Sequence, residues 1–261
     1  MDCLELERKI IEMFKSVNSI VWNNQERKVV SAAKPIVTSG GGECKTDVYI
    51  QLDNQEEIKI SIKKTNADFL ENKITAERAE SLFGKDYKEF FQTSMIPIQD
   101  KFIKKQKYFP EKTGRIEANS YTLGWRIDII DKLSGELCVP LQIPKETLLH
   151  IISGDNLPDL KKHCSVNGTI VKNSGIANYF LQTDNPSSAQ EVLDNLIHIE
   201  DYNSNVYLTF RAVNFRKNSG RCESRHLGVY VTWENGEPEC HFDNPLGYTS
   251  TMIRNKYKGV L

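Results

Sequence analysis

The chain has 261 residues, 39% of them hydrophobic, with 34 basic against 35 acidic side chains for a net charge of −1. That is length enough to bury a core without disulfides, and no apolar run reaches the ~18 residues of a membrane helix. The start, Met1-Asp2-Cys3-Leu4-Glu5, lacks the basic and apolar blocks of a secretory signal, and the six scattered cysteines form no Cys-x-x-Cys pair, so a cytoplasmic protein without structural zinc is expected.

Residues 2–17 place Leu4, Ile10, Ile11, Phe14 and Val17 on one side of a helical projection and are predicted to form an amphipathic helix. Residues 27–38 read as an irregular strand interrupted at Pro35. Ser39-Gly40-Gly41-Gly42 then reads as a turn using backbone conformations closed to other residues. Two alternating runs follow. Residues 47–52 put Val48, Ile50 and Leu52 on one face and Asp47, Tyr49 and Gln51 on the other. Residues 57–63 put Ile58, Ile60 and Ile62 inward and Lys59, Ser61 and Lys63 opposite. The polar connector Asp53-Asn54-Gln55-Glu56 between them suits a hairpin.

Helices are expected over residues 75–92 and near 98–108, and strands over 122–130, 137–143, 206–213 and 226–233. Short helices are expected over 145–152 and 189–197, and Asn235-Gly236 is a strong hairpin turn. The elements show no regular βαβ alternation. The expected fold is mixed α/β, with a central mixed sheet flanked by helices and a strand-rich C-terminal half. We read one domain over residues 1–261, with a first part over 1–145 and a second over 146–261.

Local charge is uneven. Between residues 101 and 115 six basic side chains (Lys101, Lys104, Lys105, Lys107, Lys112, Arg115) stand against Glu111, a local charge of +5. Between residues 205 and 231 five (Arg211, Arg216, Lys217, Arg221, Arg225) stand against Glu223, a local charge of +4. Either cluster alone is an ordinary solvated face, and only a second, independent signal would give the two together more meaning.

Asp47 and Lys63 fall near the ends of facing hairpin strands, and strand parity puts Ser61 and Lys63 on one face with Asp47 opposite them. The pattern D-(x)n-S-x-K resembles the D-(x)n-(D/E)-x-K signature of PD-(D/E)xK nucleases. The wider segments, Ser39-Gly40-Gly41-Gly42-Glu43-Cys44-Lys45-Thr46-Asp47 and Ile58-Lys59-Ile60-Ser61-Ile62-Lys63-Lys64, resemble the active-site hairpin of the MspI-type restriction endonucleases. There a glycine-rich turn leads into Lys-Thr-Asp or Lys-Ser-Asp, and an amide residue replaces the second acid. Ser61 goes a step beyond that replacement. The resemblance spans residues 38 to 66, about a tenth of the chain.

It implies a restriction-endonuclease-like core and a type II enzyme that hydrolyses double-stranded DNA at a specific site with Mg²⁺, held by Asp47 and Ser61, while Lys63 orients the attacking water. It also implies a glutamate on the first helix that faces the metal. With Leu4 at zero and ~100° per residue, Glu7 falls near ~300°, inside the apolar stripe, while Glu5 and Glu12 fall on the solvent side near ~100° and ~80°. A carboxylate there is costly to bury unless it binds metal or pairs with a lysine or arginine. Glu7 is therefore the third expected metal ligand and catalytic residue.

Lys64 and Asn66, just past the hairpin, are expected at the DNA. Asn214, Arg216, Lys217, Arg221 and Arg225 are the expected base readers, since arginine suits guanine and asparagine suits adenine; Lys104 and Lys105 are assigned to phosphates. A monomer and a homodimer both fit, and no membrane is involved. A related nuclease task in repair, junction cleavage or phage defence, or a catalytically silent DNA-binding module, stays open. The five histidines show no metal-ligand spacing, and no Gly-x-x-x-x-Gly-Lys-Ser/Thr motif is present, which argues against a zinc hydrolase and a nucleotide-driven motor.

Overall fold

The computed structural model describes residues 2–39 and 42–259; Met1, residues 260–261, and Gly40 and Gly41 of the expected turn lie outside the described residues. The fold is mixed α/β. Two compact units alternate along the chain, Met1–Ala67 with Pro144–Asn203 and Asp68–Ile143 with Ser204–Leu261. Both units draw on residues from either side of position 145, and each carries its own main sheet beside a two-stranded one.

Asp2 caps helix α1 (Cys3–Ser16). Its Oδ1 accepts the Glu5 N–H at 2.8 Å while the Glu5 carboxylate accepts the Asp2 N–H at 2.8 Å, so two otherwise orphaned donors are satisfied. Strands β1 (Ser19–Trp22) and β2 (Gln25–Ala33) form a hairpin through Asn23 and Asn24, both left-handed at φ 50° and 59°, a conformation asparagine tolerates. Only the second half of that hairpin was expected. Strands β3 (Val48–Leu52) and β4 (Glu57–Lys63) pair antiparallel, with Val48 opposite Ile60 and Ile50 opposite Ile58.

The chain then enters the second unit through β5 (Phe69–Glu71). The helix expected over 75–92 is two helices, α2 (Ala76–Phe83) and α3 (Tyr87–Met95), because Gly84 at φ 78° ends the first. Helix α4 (Gln99–Lys105), β6 (Tyr108–Phe109), the long β7 (Ser120–Ile130) and the short β8 (Cys138–Pro140) follow.

Back in the first unit come α5 (Lys145–Ser153), α6 (Asp159–Lys162) and the small hairpin β9 (Ser165–Val166) and β10 (Thr169–Ile170). Then β11 (Tyr179–Gln182) pairs parallel with β4, setting Phe180 beside Ser61 and Gln182 beside Lys63. Helix α7 (Ala189–Asp194) and β12 (Ile197–His198) close the unit; residues expected as one helix to 197 change to strand. The second unit ends with β13 (Tyr207–Arg216), β14 (His226–Leu227), β15 (Val229–Glu234), β16 (Glu237–His241), β17 (Tyr248–Thr249) and α8 (Ser250–Lys256). Asn235 and Gly236 make the expected turn between β15 and β16 at φ 53° and 85°.

The first unit is built on a six-stranded mixed sheet, β1-β2-β3-β4-β11-β12, in which β4 and β11 are parallel. Leu6, Ile10 and Phe14 of α1 and Val192 and Leu193 of α7 pack on Val48, Ile50, Ile58 and Ile60. Burying each such isoleucine stabilises the unit by roughly 1.5–3 kcal/mol. The other face carries Ala33 and Tyr49 under Val166, with Val171 beside them. Asp47, Ser61 and Lys63 belong by strand parity to this second face.

The second unit holds a seven-stranded antiparallel sheet in the order β16-β15-β7-β13-β8, with β5 and β6 also paired to β7. Gly124 of β7 has φ 146°, and a Cβ there would lie 2.2 Å from the Val229 carbonyl oxygen, so the approach of β15 requires glycine. Among the described residues no helix is long and apolar enough to cross a membrane.

Candidate active site

Asp47 sits one residue before β3 and is fastened to β4 by both ends. Its N–H donates to the Ile60 carbonyl at 2.8 Å, and its Oδ2 accepts the Ile62 N–H at 2.7 Å. Extending the ladder places Asp47 across from Ser61, with Lys63 two residues along on the same face. The hairpin thus sets all three in the relation their spacing predicts. Lys63 carries its Nζ to 5.9 Å from the centre of the Phe180 ring on β11. Phe180 had no signal of its own; a short apolar run cannot be told from a helical segment by periodicity.

Glu7 is buried within the apolar stripe of α1, where Glu5 and Glu12 are exposed. Leu4, expected in that stripe, is 52% exposed. Glu7 is ion-paired to Lys34, the residue just past β2. Of the two alternatives open at the sequence level, the pairing with a lysine is the one observed, and the Glu7 charge also acts on Asp47.

Electrostatics bind these groups into one cluster. Burial pushes the Asp47 carboxyl up to about 7, against the pull of the Ile62 hydrogen bond. The Glu7 and Glu43 charges add to the rise, while Lys34 opposes it. Burial lowers the Lys34 amine, but the hydrogen bond and charge of Glu7, with Asp47 and Glu43 behind them, turn the net direction upward. A carboxylate held near half-protonation at neutral pH marks a desolvated pocket short of positive charge. Lys34, Glu43 and Asp47 line a 180 Å³ cleft with Pro35, Gly42 and Thr46. Lys34 and Glu43 were not expected here; a lysine before a proline and a glutamate in a glycine-rich turn look like any polar loop.

The donor set fits magnesium. Asp47 and Glu7 offer hard carboxylate oxygens and Ser61 a neutral hydroxyl, and Mg²⁺ keeps much of its water while binding one or two carboxylates. Among the described residues no group of three His, Cys, Asp or Glu side chains is placed to hold a metal, as a fully protein-ligated ion would need.

The expected DNA contacts divide. Lys64 is half-buried and Asn66 exposed directly after β4. In the second unit Lys104 is exposed at the end of α4, whereas Lys105 is paired with Glu136 at 2.9 Å. Asn214, Arg216 and Arg221 converge on a 370 Å³ cavity that also takes Arg115 and Arg126. Lys217 and Arg225 are not on it. Lys217 stands 5.8 Å from the Tyr121 ring centre, and Arg225 is held by Glu223 at 2.7 Å and the Ser224 carbonyl at 2.9 Å. The expected five-residue cluster is therefore three residues plus two others. Arg126 was missed, although the charged residues Arg126 and Asp128 inside the apolar run 123–130 are a visible anomaly. Comparison of the chain with protein-family models, with curated proteins and with solved structures finds no match, so the functional reading stands on the chemistry of these residues.

Proposed function

We propose that the protein is a cytoplasmic, Mg²⁺-dependent endonuclease that cuts double-stranded DNA at a specific site, a type II restriction enzyme of the PD-(D/E)xK kind. One observation carries the reading. Asp47 is clamped across the β3–β4 ladder from Ser61-x-Lys63, and the Glu7 charge reaches the same carboxylate from α1.

In this reading Asp47 and Glu7 hold the metal through carboxylate oxygens, with Ser61 contributing at most a neutral oxygen. Bound there, Mg²⁺ supplies polarisation of the scissile phosphate and a lowered pKa for the attacking water. Asp47 has to lose its proton first, which Lys34 favours. The Lys63 ammonium orients the water and offsets charge on the phosphate. Asn214 of the second unit supplies a base contact, Arg216 and Arg221 on the same cavity hold the recognised nucleotide, and Lys104 supplies a phosphate contact.

Incubation of the purified protein with plasmid DNA and Mg²⁺ tests this. Discrete bands are expected, and smearing would point to a nonspecific nuclease. The Lys34–Glu7 ion pair gives a second reading its footing. If it holds Glu7 permanently, the chain is a silent DNA-binding module, and the plasmid is retarded on the gel but stays supercoiled.

A further inference from the structure

Two neighbouring cavities lie within the second unit, along the free edge of β13. Strand β8 pairs with β13 only as far as Thr209, and the last cross-link there is the Phe210 N–H to the Leu137 carbonyl. Ala212 and Asn214 follow on β13 where β8 has ended, with an irregularity in the β7 register between Val213 and Asn214. Both residues, with Ile116, line both cavities.

The two compartments differ in chemistry. One, of 530 Å³, is walled by Phe109, Trp125 and Phe210, with Lys105, Lys107 and Arg211. The other, of 370 Å³, is walled by Arg115, Arg126, Arg216 and Arg221. Each volume falls in the ~300–1,000 Å³ range of small-molecule sites. The walls also carry acids, each already engaged: in the second compartment Glu117 with Arg216 at 2.9 Å and Glu223 with Arg225 at 2.7 Å, and in the first Glu136 with Lys105 at 2.9 Å. Asp128, fully buried, is shared between Arg126 at 3.3 Å and Arg211 at 3.2 Å. Arg115 and Arg221 make no ion pair among the described residues. The second compartment is thus an arginine-walled hollow with positive charge to spare. At the shared wall the Asn214 Oδ1 is buried without a hydrogen-bond partner, an acceptor already desolvated.

We infer that these cavities form one nucleotide site. The aromatic compartment takes a single nucleobase, the arginine compartment takes its phosphate, and Asn214 reads the base edge between them. Arginine's planar fork suits phosphate oxygens, aromatic walls suit any base face, and an asparagine amide offers both a donor and an acceptor to a base. The nucleotide comes either from a duplex, swung out of its stack, or from free mononucleotide in solution. The inference rests on the DNA-recognition part of the proposed function for the first source only, and nothing in it requires cleavage.

Two measurements without Mg²⁺ test it. In the first, the four deoxynucleoside monophosphates and their nucleosides are titrated calorimetrically into wild type, into Arg115→Ala/Arg221→Ala, and into Arg115→Gln should the double variant melt early. In the second, 2-aminopurine is walked through duplex DNA and its fluorescence followed on binding. One monophosphate should bind at least about tenfold tighter than its nucleoside, and the arginine variants should erase that difference. A severalfold fluorescence rise at one duplex position, reduced in Asn214→Ala, identifies the strand as the source; monophosphate binding without that rise identifies the free nucleotide. Absence of both signals, or monophosphate affinity unchanged in the arginine variants, overturns the site. A wild type that shows either signal but leaves plasmid intact with Mg²⁺ refutes the nuclease reading alone. One that cuts plasmid into discrete bands and shows neither signal refutes the nucleotide site alone.

Discussion

Glu7 on α1 and Lys34 beyond β2 form an ion pair whose two charges act in opposite directions on the buried Asp47 carboxyl. Lys34 therefore stands where a cation is wanted, and it competes with any ion that would take its place. Lys34→Met should raise the affinity of the metal-free protein for Mg²⁺, read by calorimetry. It should also lower stability at pH 7 by about 1–3 kcal/mol, because Glu7 is left buried without its partner. Unchanged or weaker Mg²⁺ binding would show that Lys34 does not contest the site.

Asp47 also sets a pH dependence. Its carboxyl moves from 3.8 to about 7 on folding, chiefly through burial, so the folded state holds a proton that the unfolded chain gives up. The associated stability is fully present below pH 3.8 and is lost as pH rises through about 7. Asp47→Asn never ionises and should be more stable than metal-free wild type at pH 8, by up to about 4 kcal/mol, with the two converging near pH 4. Denaturation curves in chelator across that range measure it. A constant gap at all pH values would remove the raised carboxyl from the account.

For cleavage, Asp47→Ala and Lys63→Ala should each lose activity by several orders of magnitude; Asp47→Ala also gives up the Ile62 N–H bond, so circular dichroism has to show it folded before its loss is scored. Ser61→Ala should cost far less, and Ser61→Asp should retain or raise activity by restoring the second acid. Substantial cutting by purified Lys63→Ala would falsify the assignment. Glu7→Gln should weaken Mg²⁺ use, whereas Glu5→Gln and Glu12→Gln, both exposed, should be silent.

In the second unit, Arg221→Ala should cost ~1–3 kcal/mol on cognate duplex and much less on scrambled duplex, whereas Lys104→Ala should weaken both alike and flatten the salt dependence. Arg225→Ala should change little, because Arg225 is engaged by Glu223 and lies off the cavity. Equal losses on cognate and scrambled DNA for Arg221→Ala would make this face an electrostatic clamp.

Gly124→Ala should destabilise the second unit by more than about 2 kcal/mol, because the added Cβ would meet a backbone oxygen that no side-chain rotation can move. Chemical denaturation reads the effect, and a loss below 0.5 kcal/mol, roughly that of a neutral surface change, would contradict it.

Local chemistry written along the chain was enough to place the β3–β4 hairpin, the face shared by Asp47, Ser61 and Lys63, the α1 stripe that buries Glu7, and the Asn235-Gly236 turn. In each case the deciding interactions span a few residues: side-chain alternation, helical period, a left-handed turn. What lay beyond reach depends on contacts between distant segments. Nothing near residue 180 marks it as the strand that closes on β4, because parallel pairing is set by packing across more than a hundred residues of intervening chain. Lys34 and Glu43 join the Asp47 cluster only because the end of β2 and the Gly42–Glu43 segment are brought beside Asp47. Arg115, Arg126 and Arg221 meet only where β7, β13 and two loops converge. Charge in sequence says which residues want water or a partner, and the tertiary fold alone decides which partner each one finds.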